Sequence, residues 1–259
     1  MKSSTFVFVL VASAAIVSVC LWWFVLGNPA NFKDGANREK PDNVLGTVFV
    51  GGYIVPGLIA LSLMVTTFIV ERFLSLRKAK GRGALATFLK NVQRALAAGN
   101  IDTALQECDK QRGSMANIIR AGLERYKSLS QESKTMDAEK QMQEVQRAIE
   151  EATMLEMPLL EKNLIAMSTI ASISTMLGLF GTVIGMIRSF RALAQAGAPD
   201  AIQLSIGISE ALINTALGIF AAIVGIVAYN FFVNKVDNFT YMIDEASYDV
   251  LQTLNTRSK

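Results

Sequence analysis

Embedded in apolar sequence are a set of hydroxyls and one carboxylate, groups able to hydrogen-bond or to hold a proton. Ser168, Thr175, Thr182 and Ser189 recur every seven residues, and two turns of α-helix take about 7.2 residues, so the four share one helix stripe. Glu210 is the only acidic or basic side chain between Asp200 and Lys235. An acid near or within a membrane span is costly enough to be a functional candidate by default; the other reading makes it an interfacial anchor at the outer end of its helix. Thr182 lies five residues before Ile187, where its uncharged run ends, and Thr215 lies five residues after Glu210. If the two runs form an antiparallel hairpin, both hydroxyls sit at a similar depth. They then either pack helices or contribute to a hydrophilic ring in an oligomer.

What this chain cannot do is equally plain. It has no histidine, which excludes a Ser-His-Asp triad, a Cys-His nucleophile, a His-ligated zinc and a histidine proton shuttle. The two cysteines, Cys20 and Cys108, are far apart and offer neither a disulfide framework nor a CxxC metal site. No catalytic residue, cofactor or metal is expected. A net charge of +3 without a basic stripe interleaved with aromatics argues against nucleic acid.

These side chains sit on sequence that reads as membrane helices. Only 18% of residues are charged, against about 25% in average soluble domains, and the deficit is concentrated in four uncharged runs. They extend from Ser3 to Phe32, Asn43 to Val70, Asn163 to Ile187 and Ala211 to Asn234, each long enough to span a bilayer. The expected fold is an all-α integral membrane protein with four transmembrane helices and long cytoplasmic helical extensions. Residues 1–43 form an N-terminal span and a short periplasmic link, 44–72 a second span, 73–162 a cytoplasmic helical region, 163–234 a transmembrane hairpin and 235–259 a cytoplasmic C-terminal helix.

The first apolar core continues through Trp22-Trp23-Phe24 to Gly27-Asn28-Pro29, an interfacial belt and helix stop. That favours a retained span over a cleaved secretory signal. Pro56-Gly57 predicts a kink in the second span. Arg72, Arg77, Lys78, Lys80 and Arg82 crowd its exit, and placing both termini inside puts 20 of the 25 Lys and Arg residues on the inner side. The positive-inside rule therefore gives an N-in, C-in topology. Residues 73–162 read as amphipathic helices broken at Gly99-Asn100, with Met142, Val145, Ile149 and Ala152 sharing a face of a helix that leads through Pro158 into the third span.

In the hairpin, Gly178, Gly181 and Gly185 permit close backbone approach, the last two as a GxxxG pair. Ala211, Thr215, Gly218, Ala222 and Gly225 step by four, three, four and three as a second small-residue stripe. All five glycines are expected to pack helices.

The stretch LGLFGTVIGMIRSF (Leu177 to Phe190), GISEALINTALGI (Gly207 to Ile219) and AYNFF (Ala228 to Phe232) resembles the MotA/TolQ/ExbB proton channel family. Glu71-Arg72 and GNIDTALQECDK with IIRAGL resemble its ExbB/TolQ branch, and the likeness runs from about residue 44 to the C-terminus. Thr175 and Val224 stand where the family usually has proline, and the N-terminal span is an addition. The resemblance implies a bacterial inner-membrane motor subunit: a homopentamer in membrane lipid whose third and fourth spans line a pore. The pore would hold the helices of an ExbD-like partner dimer. Thr182 and Thr215 would face a proton-carrying aspartate of that partner, and Glu210 would sit at the outer mouth. An ExbB-like role would drive a TonB-like protein that energises outer-membrane transport. A TolQ-like envelope-maintenance role, a flagellar stator and a non-conducting membrane scaffold are the alternatives. Apart from Glu210 no acid lies in the apolar core of a span, so a complete proton path needs a carboxylate from elsewhere.

Overall fold

A computed structural model describes residues 3–35, 38, 40–132, 138–195 and 201–258. The helices are α1 (Ser3–Cys20), continued by a π-helical turn (Leu21–Leu26), α2 (Val44–Val50), α3 (Val55–Lys80), α4 (Leu85–Ala97), α5 (Ile101–Gln111), α6 (Ser114–Glu132), α7 (Ala138–Glu161), α8 (Leu164–Gln195) and α9 (Ala201–Ser258). Among the described residues there is no strand, only a single antiparallel bridge between Phe32 and Pro41. Four stretches are long and apolar enough to cross a membrane, within Phe8–Leu26, Gly52–Ala97, Ala138–Ala194 and Ile202–Thr256. The chain divides into two compact units, Met1–Val70 with Asn163–Asn230 and Glu71–Lys162 with Phe231–Lys259.

In the first unit, the aromatic belt is a packing device. Trp22 and Leu26 bury with Val55 against Val48, Phe49, Ile59 and Leu217, and Trp22 stacks on Phe49 with ring centroids 4.7 Å apart. The last carbonyls of a helix lack intrahelical donors, and here Asn31 supplies them. Its Nδ2 donates to the carbonyls of Val25 (2.8 Å) and Leu26 (3.0 Å), while its Oδ1 accepts from Asn43 Nδ2 at 2.9 Å. Asn43 also caps α2, its Oδ1 accepting from the Gly46 amide. The polar link is thus tied down at both ends by two asparagines.

The second apolar run departs from the expected single, kinked helix over 44–72. It breaks earlier, at Gly51-Gly52, where Gly52 takes φ +79°. A 3-10 turn over Gly52–Ile54 follows and α3 starts at Val55. Pro56 is then the second residue of the new helix, where its missing N–H would have had no partner, so it starts the helix and does not bend it.

In the second unit, α4 to α7 are amphipathic helices with buried faces that include Phe88, Val92, Ile119, Leu123, Val145 and Ile149. Asn100 separates α4 from α5 as an N-cap, its Oδ1 accepting from the Thr103 amide at 3.0 Å. Met142 and Ala152 are half-buried beside Val145 and Ile149. α9 joins this unit through Gln93, whose Nε2 donates to Asp249 at 2.9 Å. Arg72, part of the basic exit, is a core residue at 1% exposure. Its guanidinium donates to Glu71 at 2.7 and 2.8 Å and to the Leu160 carbonyl at 3.2 Å. Burial pushes the Cys108 thiol up to about 12, which keeps it a neutral apolar filler at physiological pH. α7 continues through Pro158 to Glu161, and Asn163 at φ +65° separates it from α8.

Candidate functional site

The α8–α9 hairpin owes its geometry to glycine. A methyl added at Gly178 would lie 3.0 Å from both the Gly218 Cα and the Asn214 carbonyl oxygen, and one at Gly185 would lie 2.6 Å from the Gly207 carbonyl oxygen. Gly181 abuts the Asn214 side chain, and Gly225 faces Ala171. Only hydrogen in place of Cβ allows the two backbones this approach. Gly207, which faces Ser189 and Gly185, does the same work and escapes a reading limited to the stepped stripe. Both helices run unbroken through Thr175 and Val224.

Thr215 reaches across this seam to the turn of α8 that precedes Thr182. Thr215 Oγ1 lies 3.4 Å from the Gly178 carbonyl and 3.3 Å from that of Ala211. In an α-helix the Gly178 carbonyl also accepts the Thr182 amide, so the Thr215 hydroxyl reaches the backbone hydrogen bond that Thr182 closes. The Thr182 hydroxyl donates to the Leu179 carbonyl at 2.5 Å. Both threonines are half-buried within one chain.

Glu210 lies elsewhere on α9, one turn before Asn214. It is 3% exposed, and both of its oxygens are 2.8 Å from Nη1 of Arg188. The carboxylate rests against Gly52. Next to it, Asn214 Nδ2 donates to the Gly51 carbonyl at 2.9 Å, and its Oδ1 is buried with no hydrogen-bond partner among the described residues. The turn that interrupts the second apolar run is thereby held by two side chains of α9. Arg188 is one of the five cations that the positive-inside count leaves on the outer side, and Asn214 carries no charge to mark it. The i, i+4 spacing of Glu210 and Asn214 was the available signal, but their partners lie 22 and 163 positions away. Among the described residues no group of three Asp, Glu or Cys side chains converges as a metal site.

This pair carries an asymmetric prediction. Arg188 is half-exposed and its partner is buried, so Arg188→Ala leaves a carboxylate unpaired inside the fold and should cost on the order of 3 kcal/mol. Glu210→Gln leaves a cation that water can reach, and should cost about 1 kcal/mol or less. Thermal unfolding of both variants in detergent checks this; a larger loss for Glu210→Gln would contradict the arrangement.

The described residues thus form a helical, multi-pass membrane protein with two helices joined along a glycine seam and hydroxyls set into it. The pattern of the MotA/TolQ/ExbB proton channel family matches residues 110–245, and the chain belongs to that family. It is 42% identical over 115 residues to the Tol-Pal system protein TolQ of Pseudomonas aeruginosa, covering 44% of this chain and 49% of that protein. It is 38% identical over 85 residues to the biopolymer transport protein ExbB of Salmonella typhimurium, covering 33% and 35%. A Synechocystis protein named ExbB-like 3 is 32% identical over 186 residues, covering 70% of this chain and 81% of that one. The chain spans about half the length of the Pseudomonas relative and about a third of the Salmonella one.

Proposed function

We propose that the chain is an ExbB-like subunit of a bacterial inner-membrane motor that couples the proton-motive force to a TonB-like protein energising outer-membrane transport. Five copies would surround a pore lined by α8 and α9, with both termini inside. The pore would hold the single-span helices of an ExbD-like partner, whose aspartate carries the proton past Thr182 and Thr215. The carrying observation is the seam itself, where the Thr215 hydroxyl sits on the Gly178 carbonyl beside Thr182. It supports a polar lining at this depth of the hairpin. Each proton crossing 100 mV releases about 2.3 kcal/mol. The supply of a carboxylate by a second protein fits the position of Glu210, whose oxygens are already occupied by Arg188.

The 42% identity to a TolQ supports a second reading, an envelope-maintenance motor. Native mass spectrometry of the protein extracted in mild detergent tests what both readings share. A ring of five copies accompanied by a single-span protein with an intramembrane Asp is the expected result, and a stable monomer without companion would overturn it. Deletion of the gene then separates the two: failure of receptor-driven uptake supports the ExbB-like role, leakage of periplasmic enzymes the TolQ-like one. Assembly without any proton conduction leaves a scaffold.

A further inference from the structure

Within the second unit, α3 and α9 enclose a groove of about 450 Å³ just beyond the ends of their uncharged runs. Its wall is aromatic: Phe73 and Phe231 remain 58% and 52% exposed, while Phe232 is buried beneath them. Its rim carries three cations, Arg77 and Lys80 from α3 and Lys235 from α9, and no carboxylate lines it. The guanidinium of Arg77 and the ammonium of Lys80 have no ion-pair partner among the described residues, and Lys235 Nζ lies 5.6 Å over the Phe231 ring. The groove residues of α9 recur at helical spacing from Phe231 to Met242, and Asp237 falls off that stripe.

We propose that this groove binds an anionic phospholipid, its headgroup phosphate held by Arg77, Lys80 and Lys235 and the upper part of an acyl chain laid against Phe73 and Phe231. Three observations select this occupant. The cations stand within ten residues of where two helices leave apolar sequence, and long basic side chains at such exits reach toward headgroup level. They are of one sign with no carboxylate among them, which suits an anionic occupant. The apolar wall, open on one side, offers nothing to a soluble phosphate but matches a chain of methylenes. The site rests on the membrane placement of α3 and α9 and is independent of whether the protein conducts protons.

The test is native mass spectrometry of the full-length chain in mild detergent titrated with phosphatidylglycerol or phosphatidylcholine, with the oligomer distribution read in the same spectra. A juxtamembrane cation contributes enough attraction to an anionic surface for each Gln substitution at 77, 80 or 235 to lower phosphatidylglycerol retention about fivefold, and the triple variant on the order of a hundredfold. Lys78→Gln, an exposed cation of α3 outside the groove, should change nothing. Phe73→Ser should weaken retention of phosphatidylglycerol while leaving the salt dependence of binding intact. Equal retention of the two lipids would overturn the site. So would an unchanged triple variant, a loss in Lys78→Gln equal to that in Lys80→Gln, or displacement of the lipid by millimolar inorganic phosphate. If the triple variant does not assemble, the three single substitutions decide by the same criteria.

Discussion

Cells whose only copy carries Thr182→Val together with Thr215→Val are expected to contain assembled protein at the wild-type level and to lose proton-driven activity. Valine keeps the shape of threonine and removes its hydroxyl. Both hydroxyls have backbone carbonyls within reach, at Leu179 for Thr182 and at Gly178 or Ala211 for Thr215. The folding cost of losing each is therefore about 1 kcal/mol or less. On the proposed proton path the functional cost is of another size, since an acid in a dry pore left without hydrogen-bonding groups loses several kcal/mol. Because the Thr215 hydroxyl sits at the backbone bond that Thr182 closes, the two should act on one step, and the double variant should be less impaired than the product of the single effects. Serine at either site should be mild. The measurement is receptor-driven uptake in cells, paired with an oligomer assay on the same membranes. Normal uptake by an assembled double valine variant would reduce both threonines to packing residues.

Gly218→Val should abolish the folded hairpin. A Cβ at this position would lie 2.6 Å from the Ser174 carbonyl oxygen and 2.8 Å from the Gly178 Cα, both of them backbone atoms of α8. A flexible side chain could move aside, but a helix backbone cannot without separating the two helices. The expected destabilisation is at least about 4 kcal/mol, at the extreme of what single substitutions cost. Gly57→Ala is the contrast. Its added methyl meets only the Leu177 Cδ2 at 3.2 Å, the far end of a side chain that can rotate, and alanine favours the helix by about 1 kcal/mol over glycine. Thermal unfolding in detergent should show no cooperative transition for Gly218→Val and a wild-type or raised midpoint for Gly57→Ala. Equal midpoints for the two would mean that the seam is not a backbone contact.

Four spans, the break at Gly99-Asn100 and the close-packed glycines were legible in the chain because each is written locally. Uncharged length, an Asn before a helix and a glycine every third or fourth residue all act within a turn or two. Pro56 misled because the same residue bends a helix in its middle and begins one at its end, and Gly51-Gly52 upstream decides which. Arg72 illustrates a second blind spot. The basic residues grouped with it, Arg77, Lys78, Lys80 and Arg82, are exposed, yet its acceptor at Leu160 is 88 residues away. The Glu210–Arg188 pair and the Asn214 bond to Gly51 are hidden for the same reason. A polar residue in apolar sequence announces that it needs a partner without saying where the fold will bring one.

The Asn214 bond to the Gly51 carbonyl sets the registration of the first unit. One donor meets one acceptor at 2.9 Å among atoms that water does not reach. Sliding α9 past the turn by a helical step would strand an amide and a carbonyl in an apolar setting, at a cost of several kcal/mol. Apolar contacts impose no such notch, because one methyl replaces another at little cost. The bond therefore acts as a detent: α9 and the turn share one seating, and any displacement of this end of α9 must either carry the turn with it or jump past a barrier that a smooth hydrophobic surface would lack.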